Sequence, residues 1–239
     1  MNFIRKILGL GPKELVNKIP RKPSSQIKRL ASPEEKINEQ NIFPVLVTKR
    51  TREVELADQI TSVFHTREGA FNDVLIALAS FDYQNLNKDQ EADVFQIMPK
   101  EEDAFLHFLV EHAEKNIEKL DFTFQDWNPS DEKFNFKILS APISFFTSEL
   151  IMSKKHMLLA HKLLNSKELF VSIPRRGLIF ICDKNLNEED YMTFLNMHAY
   201  LVLKEDEKTE LLCEDVFVLE NGEITNVLEM HQLSEILQK

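Results

Sequence analysis

The stretch "ELFVSIPRRGLIFICD", residues 168–183, places a proline, two arginines and a glycine between two apolar runs. β-Prone runs on either side of a short turn that contains Pro and Gly predict a β-hairpin, with Arg175 and Arg176 at its tip. Residues 178–182 are apolar at every position, and a strand that is apolar on both faces is typically covered on both faces. We therefore predict that this strand is central in a sheet or covered by a helix.

Outward from this hairpin, helices and strands alternate in only part of the chain. Pro44 removes a backbone donor from the first predicted strand, which indicates an edge strand or a late strand start. Apolar periodicity predicts strands over 41–49, 73–83 and 133–139, and helices over 99–120, 148–165 and 187–200.

Asn221-Gly222 predicts a second hairpin, because this pair readily adopts the positive φ angles of a type I′ turn. Two strand pairs are thus joined by short turns, as antiparallel strands allow. The pattern predicts an α+β fold, a mostly antiparallel mixed sheet with packed helices, preceded by a basic N-terminal arm. We place the arm and its linker at residues 1–33 and a single α+β domain at residues 34–239.

The arm is the only sizeable basic feature of the sequence. The formal net charge is −10, yet residues 1–30 contain eight Lys/Arg and one acid, which leaves −17 for the remainder. Apolar residues of its first two turns fall on one helical stripe, and prolines and serines between 20 and 33 predict a linker. The candidate contact residues for a membrane or a partner are Phe3, Ile4, Arg5, Lys6, Ile7 and Leu8.

Two interpretations of the arm stay open. A short basic amphipathic helix on a tether is able to contact an anionic membrane surface through residues 1–30. The favoured alternative is that the arm docks on the protein's own body or is a loose terminus, because two helical turns bury little apolar area.

Composition also bounds the compartment and the partners. An acidic body discourages nucleic-acid binding, which needs clustered Lys and Arg for phosphate contacts, so no nucleic-acid partner is expected. Cys182 and Cys213 lie in apolar, strand-like runs and are predicted to be reduced, buried thiols. No run approaches the ~20 apolar residues that span a bilayer, and a cytoplasmic location is predicted.

The order of five segments resembles the bacterial family catalogued as domain of unknown function 1444. The segments are "FPVLVTK", "DVLIALASFDY", "LHFLVEHAEKNIEKL", "LFVSIPRRGLIFICDKN" and "VFVLENGEI", and they cover roughly residues 42–230. The family has no established activity, so the resemblance implies a fold but no catalytic residue. The resemblance does not account for the Arg175-Arg176 turn or for the basic arm.

Known catalytic signatures are missing from the sequence. It contains five glycines and neither a P-loop nor a dinucleotide fingerprint, so no cofactor is predicted. The pairs His107/His112 and His156/His161 are each five residues apart, which separates the two rings by about 140° on a helix, and no metal site is predicted. No GxSxG motif occurs, and Ser172 has no adjacent base in the sequence.

Arg175 and Arg176 are the candidate binding residues of the body. Arginine at a turn is typically solvated, and Pro174 and Gly177 already supply the turn. On an acidic body the two guanidiniums are expected to pair with the protein's own carboxylates, with Asp183 as a candidate across the hairpin. The alternative is a small anion site, in which arginine supplies bidentate hydrogen bonds.

The sequence therefore favours a non-catalytic interaction module with a basic protein surface as its candidate partner. A hydrolase of unrecognised class that uses carboxylates or His156 and His161 is the first alternative, because such groups are able to meet in three dimensions. A peripheral membrane adaptor, docked through the arm, is the second. The sequence does not specify the oligomeric state.

Overall fold

In a computed structural model, the described residues are 27–29, 39–48, 74–80, 92–95, 104–128, 134–204 and 210–229. By its contacts the chain divides into two compact units, Lys22–Asp121 and a unit that combines Met1–Arg21 with Phe122–Lys239. The arm's candidate contact residues, from Phe3 to Leu8, lie outside the described residues. The predicted boundaries, an arm over 1–33 and one domain over 34–239, stay predictions.

The described part of the unit Lys22–Asp121 contains a four-stranded mixed sheet with the order β1-β4-β3-β2. Only the pairing of β1 with β4 is parallel; β2 with β3 and β3 with β4 are antiparallel. Strand β1 falls within the predicted linker, and Pro44 lies in an edge strand, as predicted. The strands are β1 Ile27–Arg29, β2 Ile42–Thr48, β3 Val74–Ser80 and β4 Ala92–Phe95.

Helix α1, Ala104–Lys119, packs against β2 in this unit. Its buried residues include Ala113 and Ile117. The Asn116 side chain donates hydrogen bonds to the carbonyl oxygens of Glu39, at 2.7 Å, and Ile42, at 2.9 Å. These bonds anchor the helix to the backbone where β2 begins.

The described part of the second unit contains a six-stranded, fully antiparallel sheet with the order β10-β9-β7-β8-β6-β5. Together with the helices, this sheet confirms the predicted α+β fold. Its strands are β5 Gln125–Asp126, β6 Ile138–Ser140, β7 Glu168–Ser172, β8 Phe180–Asp183, β9 Val216–Glu220 and β10 Glu223–Leu228. A strand is predicted over 133–139, but the observed strand, β6, begins only at Ile138.

The hairpin β7–β8 occupies the middle of this sheet, as the sequence predicts. All five residues of 178–182 are at most 4% exposed. Phe180 and Cys182 face a core cluster with Phe194 and Leu201 of a helix, α3, whose bounds are Glu188–Leu203. The intervening Ile181 is equally buried, so this strand is covered on both of its faces.

The predicted helix over 148–165 is wrong as a single element. The structure has a 3₁₀ helix, Ser148–Met152, followed by helix α2, Lys154–Leu164. Between them Ser153 is extended, with φ −91° and ψ 103°, and its hydroxyl accepts a hydrogen bond from the His156 N–H. An N-cap serine needs this extended conformation, which interrupts the helical path.

Helix α3 begins where the sequence predicts. The Asn187 side chain accepts a hydrogen bond from the Asp190 N–H at 2.9 Å, and its amide donates to the Asp190 carboxylate at 2.6 Å. This reciprocal pair resembles a capping box. None of the helices in the described residues combines the length and apolar composition needed to cross a bilayer.

Cys182 and Cys213 are both buried and form no disulfide. Burial, with a smaller contribution from the neighbouring Asp183 charge, raises the pKa of the Cys182 thiol well above its usual value. A protonated, buried thiol is a poor nucleophile, which agrees with the predicted structural role.

The turn between β9 and β10 provides a test of the fold. Asn221 and Gly222 have φ angles of 54° and 77°, and a Cβ added to Gly222 would lie 3.1 Å from both Leu158 Cγ and the Lys154 carbonyl oxygen. We expect Gly222→Ala to lower the free energy of unfolding by about 1–3 kcal/mol. Urea denaturation measures it, with Asn221→Gly as a near-neutral control; equal effects of both changes would contradict the assignment.

Candidate functional site

The tip of the central hairpin is folded into the protein. Arg175 and Arg176 are only 6% and 2% exposed. The Arg176 N–H donates to the Glu210 carbonyl oxygen and the Leu212 N–H donates to the Pro174 carbonyl oxygen, each at 3.0 Å. The interpretation of this tip as a solvated turn is wrong, because its backbone pairs with the segment that precedes β9.

Arg176 lies at the centre of a buried ionic cluster. Its Nε donates to Glu210 Oε2 and its Nη1 to Glu149 Oε1, each at 2.6 Å. The guanidinium carbon also lies 4.8 Å from the centroid of the Phe145 ring, within the range of a cation–π contact. The guanidinium is therefore bound by two carboxylates and an aromatic face of its own chain.

The 3₁₀ helix supplies one half of this cluster. Glu149 is fully buried, and its Oε2 accepts a hydrogen bond from the Ser148 hydroxyl at 2.6 Å. The same hydroxyl oxygen accepts from the Gly177 N–H at 3.2 Å. The hairpin turn and the 3₁₀ helix are thus joined by an ion pair, Arg176 with Glu149, and by a neutral hydrogen bond, Gly177 with Ser148.

Opposite contributions act on the pKa of Arg176. Burial taken alone lowers it, but the charges and hydrogen bonds of Glu210 and Glu149 outweigh that contribution and raise the pKa above its ordinary value. The guanidinium is charged at every accessible pH. A buried charge of this kind is costly unless its partners stay in place.

Arg175 has a different role at the end of α3. Its Nε donates to the Leu201 carbonyl oxygen at 2.7 Å, and its Nη2 donates to the carbonyl oxygens of Val202, at 3.3 Å, and Lys204. The last carbonyl groups of a helix have no intrahelical donor and form the negative end of its dipole. Arg175 therefore caps the C-terminus of α3 with a positive charge.

Asp183 lies at the end of β8 that is remote from this turn. Its Oδ1 accepts hydrogen bonds from the Ser166 hydroxyl at 2.7 Å and the Asn185 N–H at 2.9 Å. The carboxylates that pair with Arg176 are those of Glu149 and Glu210 instead. A role for Arg175, Arg176 and Asp183 toward an outside anion or partner stays a prediction.

A serine and a histidine that the sequence does not connect meet in the core. Ser172 Oγ lies 2.8 Å from His198 Nδ1, and His198 Nε2 lies 2.7 Å from the Glu214 carbonyl oxygen. Because a carbonyl oxygen only accepts, Nε2 carries the proton and Nδ1 accepts from the serine hydroxyl. Burial lowers the pKa of His198 to about 4.

This pair has the chemistry of a nucleophile with its base, but both side chains are fully buried. In this geometry they join β7, α3 and the segment before β9. The spacing of apolar neighbours is the one sequence signal for this contact. Ser172 is two residues from Phe170 and therefore lies on the same face of the sheet, which α3 covers. His198 lies one turn beyond Phe194 on the buried face of α3.

The histidines of α2 make local contacts. His156 is buried, and its Nδ1 lies 2.6 Å from the Ser153 hydroxyl. His161 Nδ1 donates to the Ser166 carbonyl oxygen at 2.9 Å. Among the described residues, no group of three or more His, Cys, Asp or Glu side chains is placed to hold a metal ion.

The outward side of α2 contains most of the exposed large apolar side chains in the described part of the chain. The described large apolar side chains that are exposed are Leu158, Leu159, Leu163 and Leu203, and three of these four belong to α2. Three exposed lysines lie on the same half of the helix. We call this surface the α2 face: Lys154, Lys155, Leu158, Leu159, Lys162 and Leu163.

Comparisons of the chain with protein-family models, with curated proteins and with solved structures find no match. The resemblance to the domain of unknown function 1444 family therefore stays a prediction.

Loss of the buried ion pair of Arg176 should lower the free energy of unfolding much more than loss of a partly exposed ion pair. We expect Arg176→Met to lower the free energy of unfolding by about 3–5 kcal/mol, because it leaves the buried Glu149 carboxylate without its counter-charge. The matched control is Lys184→Met, which breaks the 2.5 Å pair with Glu168, whose two side chains are 36% and 37% exposed. That loss is expected below about 1 kcal/mol. Equal losses in urea denaturation would contradict the burial of the cluster.

His198 predicts a stability change in mild acid. Its pKa is about 4 in the folded protein and 6.5 in the unfolded chain, so the unfolded chain takes up the proton first as the pH falls. Stability is therefore lost between about pH 6.5 and pH 4, by about 3 kcal/mol in total. Urea denaturation across this window measures the loss. The same slope in His198→Gln would assign it to other groups.

Proposed function

We propose that the protein is a non-catalytic module that binds another protein, and that its binding surface is the α2 face. The observation that carries this proposal is the exposure of Leu158, Leu159 and Leu163, which are 38–45% exposed on one short helix. Contiguous apolar surface on a protein is typical of an interaction site, whereas single exposed leucines are common.

The apolar area of the α2 face supplies part of the free energy of binding. Full burial of a leucine side chain contributes roughly 1.5–3 kcal/mol relative to full exposure, and each of these three is 38–45% exposed. Their complete burial therefore contributes roughly 2–4 kcal/mol in total. This is less than the cost of association, so contacts around the leucines have to supply the rest.

The polar groups inside the unit support a binding module over the hydrolase alternative. His156, one of the two histidines which that alternative would use, is buried against Ser153. The Ser172–His198 pair is fully covered, and Arg176 is bonded to two carboxylates. These groups form hydrogen bonds or ion pairs that stabilise the fold, whereas the leucines of α2 have apolar area that a partner could bury.

The other predictions concern features outside the α2 face. The membrane adaptor alternative depends on residues 1–30, which lie almost entirely outside the described residues. The cytoplasmic location stays a prediction. A basic protein surface remains the partner proposed for the acidic remainder of the chain, whereas the α2 face has the opposite local charge.

Site-specific photocrosslinking tests the proposal. A benzophenone side chain at position 159 of the full chain is expected to crosslink a discrete partner in lysate of the source organism. The matched control carries the same group in place of Leu203, which is 74% exposed at the end of α3. The crosslink from position 159 should disappear in Leu163→Ser and persist in Leu203→Ser.

The same products from positions 159 and 203, or a crosslink that survives Leu163→Ser, would contradict a binding role for the α2 face. Circular dichroism and urea denaturation confirm that each variant is folded. Both leucines are partly solvent-exposed, so their replacement by serine is expected to cost little stability.

A further inference from the structure

We infer that the partner of the α2 face is an acidic amphipathic helix. This inference rests on the proposed function and names the chemistry of the partner. Its basis is the charge of the surface around the leucines, together with the helical spacing of its side chains.

Charge is segregated within residues 122–239, the part of the second unit that contains α2. Residues 122–239 contain nineteen acids and twelve Lys/Arg. None of those acids falls within 153–167, whereas four lysines do: Lys154, Lys155, Lys162 and Lys167. The remaining residues of 122–239 then have nineteen acids against eight cations. A basic strip within this otherwise acidic part of the chain is complementary to a carboxylate-rich ligand.

The pairing of these lysines within the chain is incomplete. Lys154 forms a 2.5 Å ion pair with Glu223, at the start of β10. Lys162 is exposed and has no carboxylate partner among the described residues. The positive charge of Lys162, beside the leucines, is therefore available to a carboxylate of a partner.

The spacing of the side chains fits a helix. Residues four apart form ridges along a helix surface, and the α2 face has two such rows: Lys155, Leu159 and Leu163 in one, and Lys154, Leu158 and Lys162 in the other. A partner helix is able to place a row of apolar side chains between these ridges. Its acidic residues, on either side of that row, would then lie beside the lysines.

An anionic membrane is the main competitor for a surface of lysine and leucine. The rest of residues 122–239 opposes it, because a lipid surface extends beyond α2 and repels the net negative charge of nineteen acids against eight Lys/Arg. A single helix contacts the strip alone. The charge distribution therefore favours a protein segment.

Two synthetic peptides of about 15–18 residues test the inference with the full chain. Both have leucine at positions i, i+3, i+4 and i+7 of successive turns; one has glutamate at the flanking positions and the other lysine. Fluorescence anisotropy is expected to show binding of the glutamate peptide at least about tenfold tighter than the lysine peptide, with the difference reduced at high salt.

Single charge reversals locate the effect. Lys162→Glu should weaken the glutamate peptide about tenfold, because one attraction becomes a repulsion of similar size. The matched control is Lys119→Glu, an exposed lysine of α1 with the same change in net charge, which should leave binding unchanged. Leu159→Ser should weaken both peptides.

Three results would overturn the inference. They are equal or tighter binding of the lysine peptide, equal effects of Lys162→Glu and Lys119→Glu, and flotation with phosphatidylglycerol vesicles that depends on Leu159. If the crosslink at position 159 is found while the glutamate peptide fails to bind, the charge of the partner is wrong and the binding function stands. If no crosslink forms from position 159, the proposed binding function is itself contradicted.

Discussion

The buried Arg176 guanidinium connects three separate segments of residues 122–239. Arg176 is buried, and its hydrogen bonds reach Glu149 in the 3₁₀ helix and Glu210 in the segment before β9. These partners are 27 and 34 residues away in the chain. Because a buried guanidinium is tolerated only while its carboxylates are in place, the hairpin turn, the 3₁₀ helix and the segment before β9 have to form together.

The same turn determines where two helices lie. Arg175 caps the last carbonyl groups of α3, while Ser172 binds His198 on the middle of that helix. The 3₁₀ helix that contains Glu149 ends at Met152, and the next residue, Ser153, caps α2. The placement of the exposed leucines of α2 is thus linked through one extended residue to the buried ionic cluster.

Local patterns were enough to predict the hairpins, the start of α3, the edge position of Pro44 and the double burial of residues 178–182. They failed where the deciding contact is distant in sequence. The sequence predicts that Arg175 and Arg176 pair with carboxylates of the chain itself, but proximity in the chain indicates Asp183, whereas Arg176 pairs with Glu149 and Glu210. Nothing local indicates Glu149 or Glu210. The apolar run at 148–165 likewise predicts one continuous helix, because the break depends on the Ser153 cap and on the distant partner of Glu149.

The surface of the second unit favours binding through the side chains of α2 over addition of a partner strand to the sheet edge. Strand β10 is a sheet edge, where a partner strand is able to add, yet its register shifts between Ile224 and Asn226, and the Asn226 side chain accepts from the Val227 N–H at 2.9 Å. A bulge and an occupied donor hinder strand addition. The α2 face offers apolar area and positive charge instead. The proposed binding therefore relies on side chains of the α2 face rather than on backbone hydrogen bonds of a sheet edge.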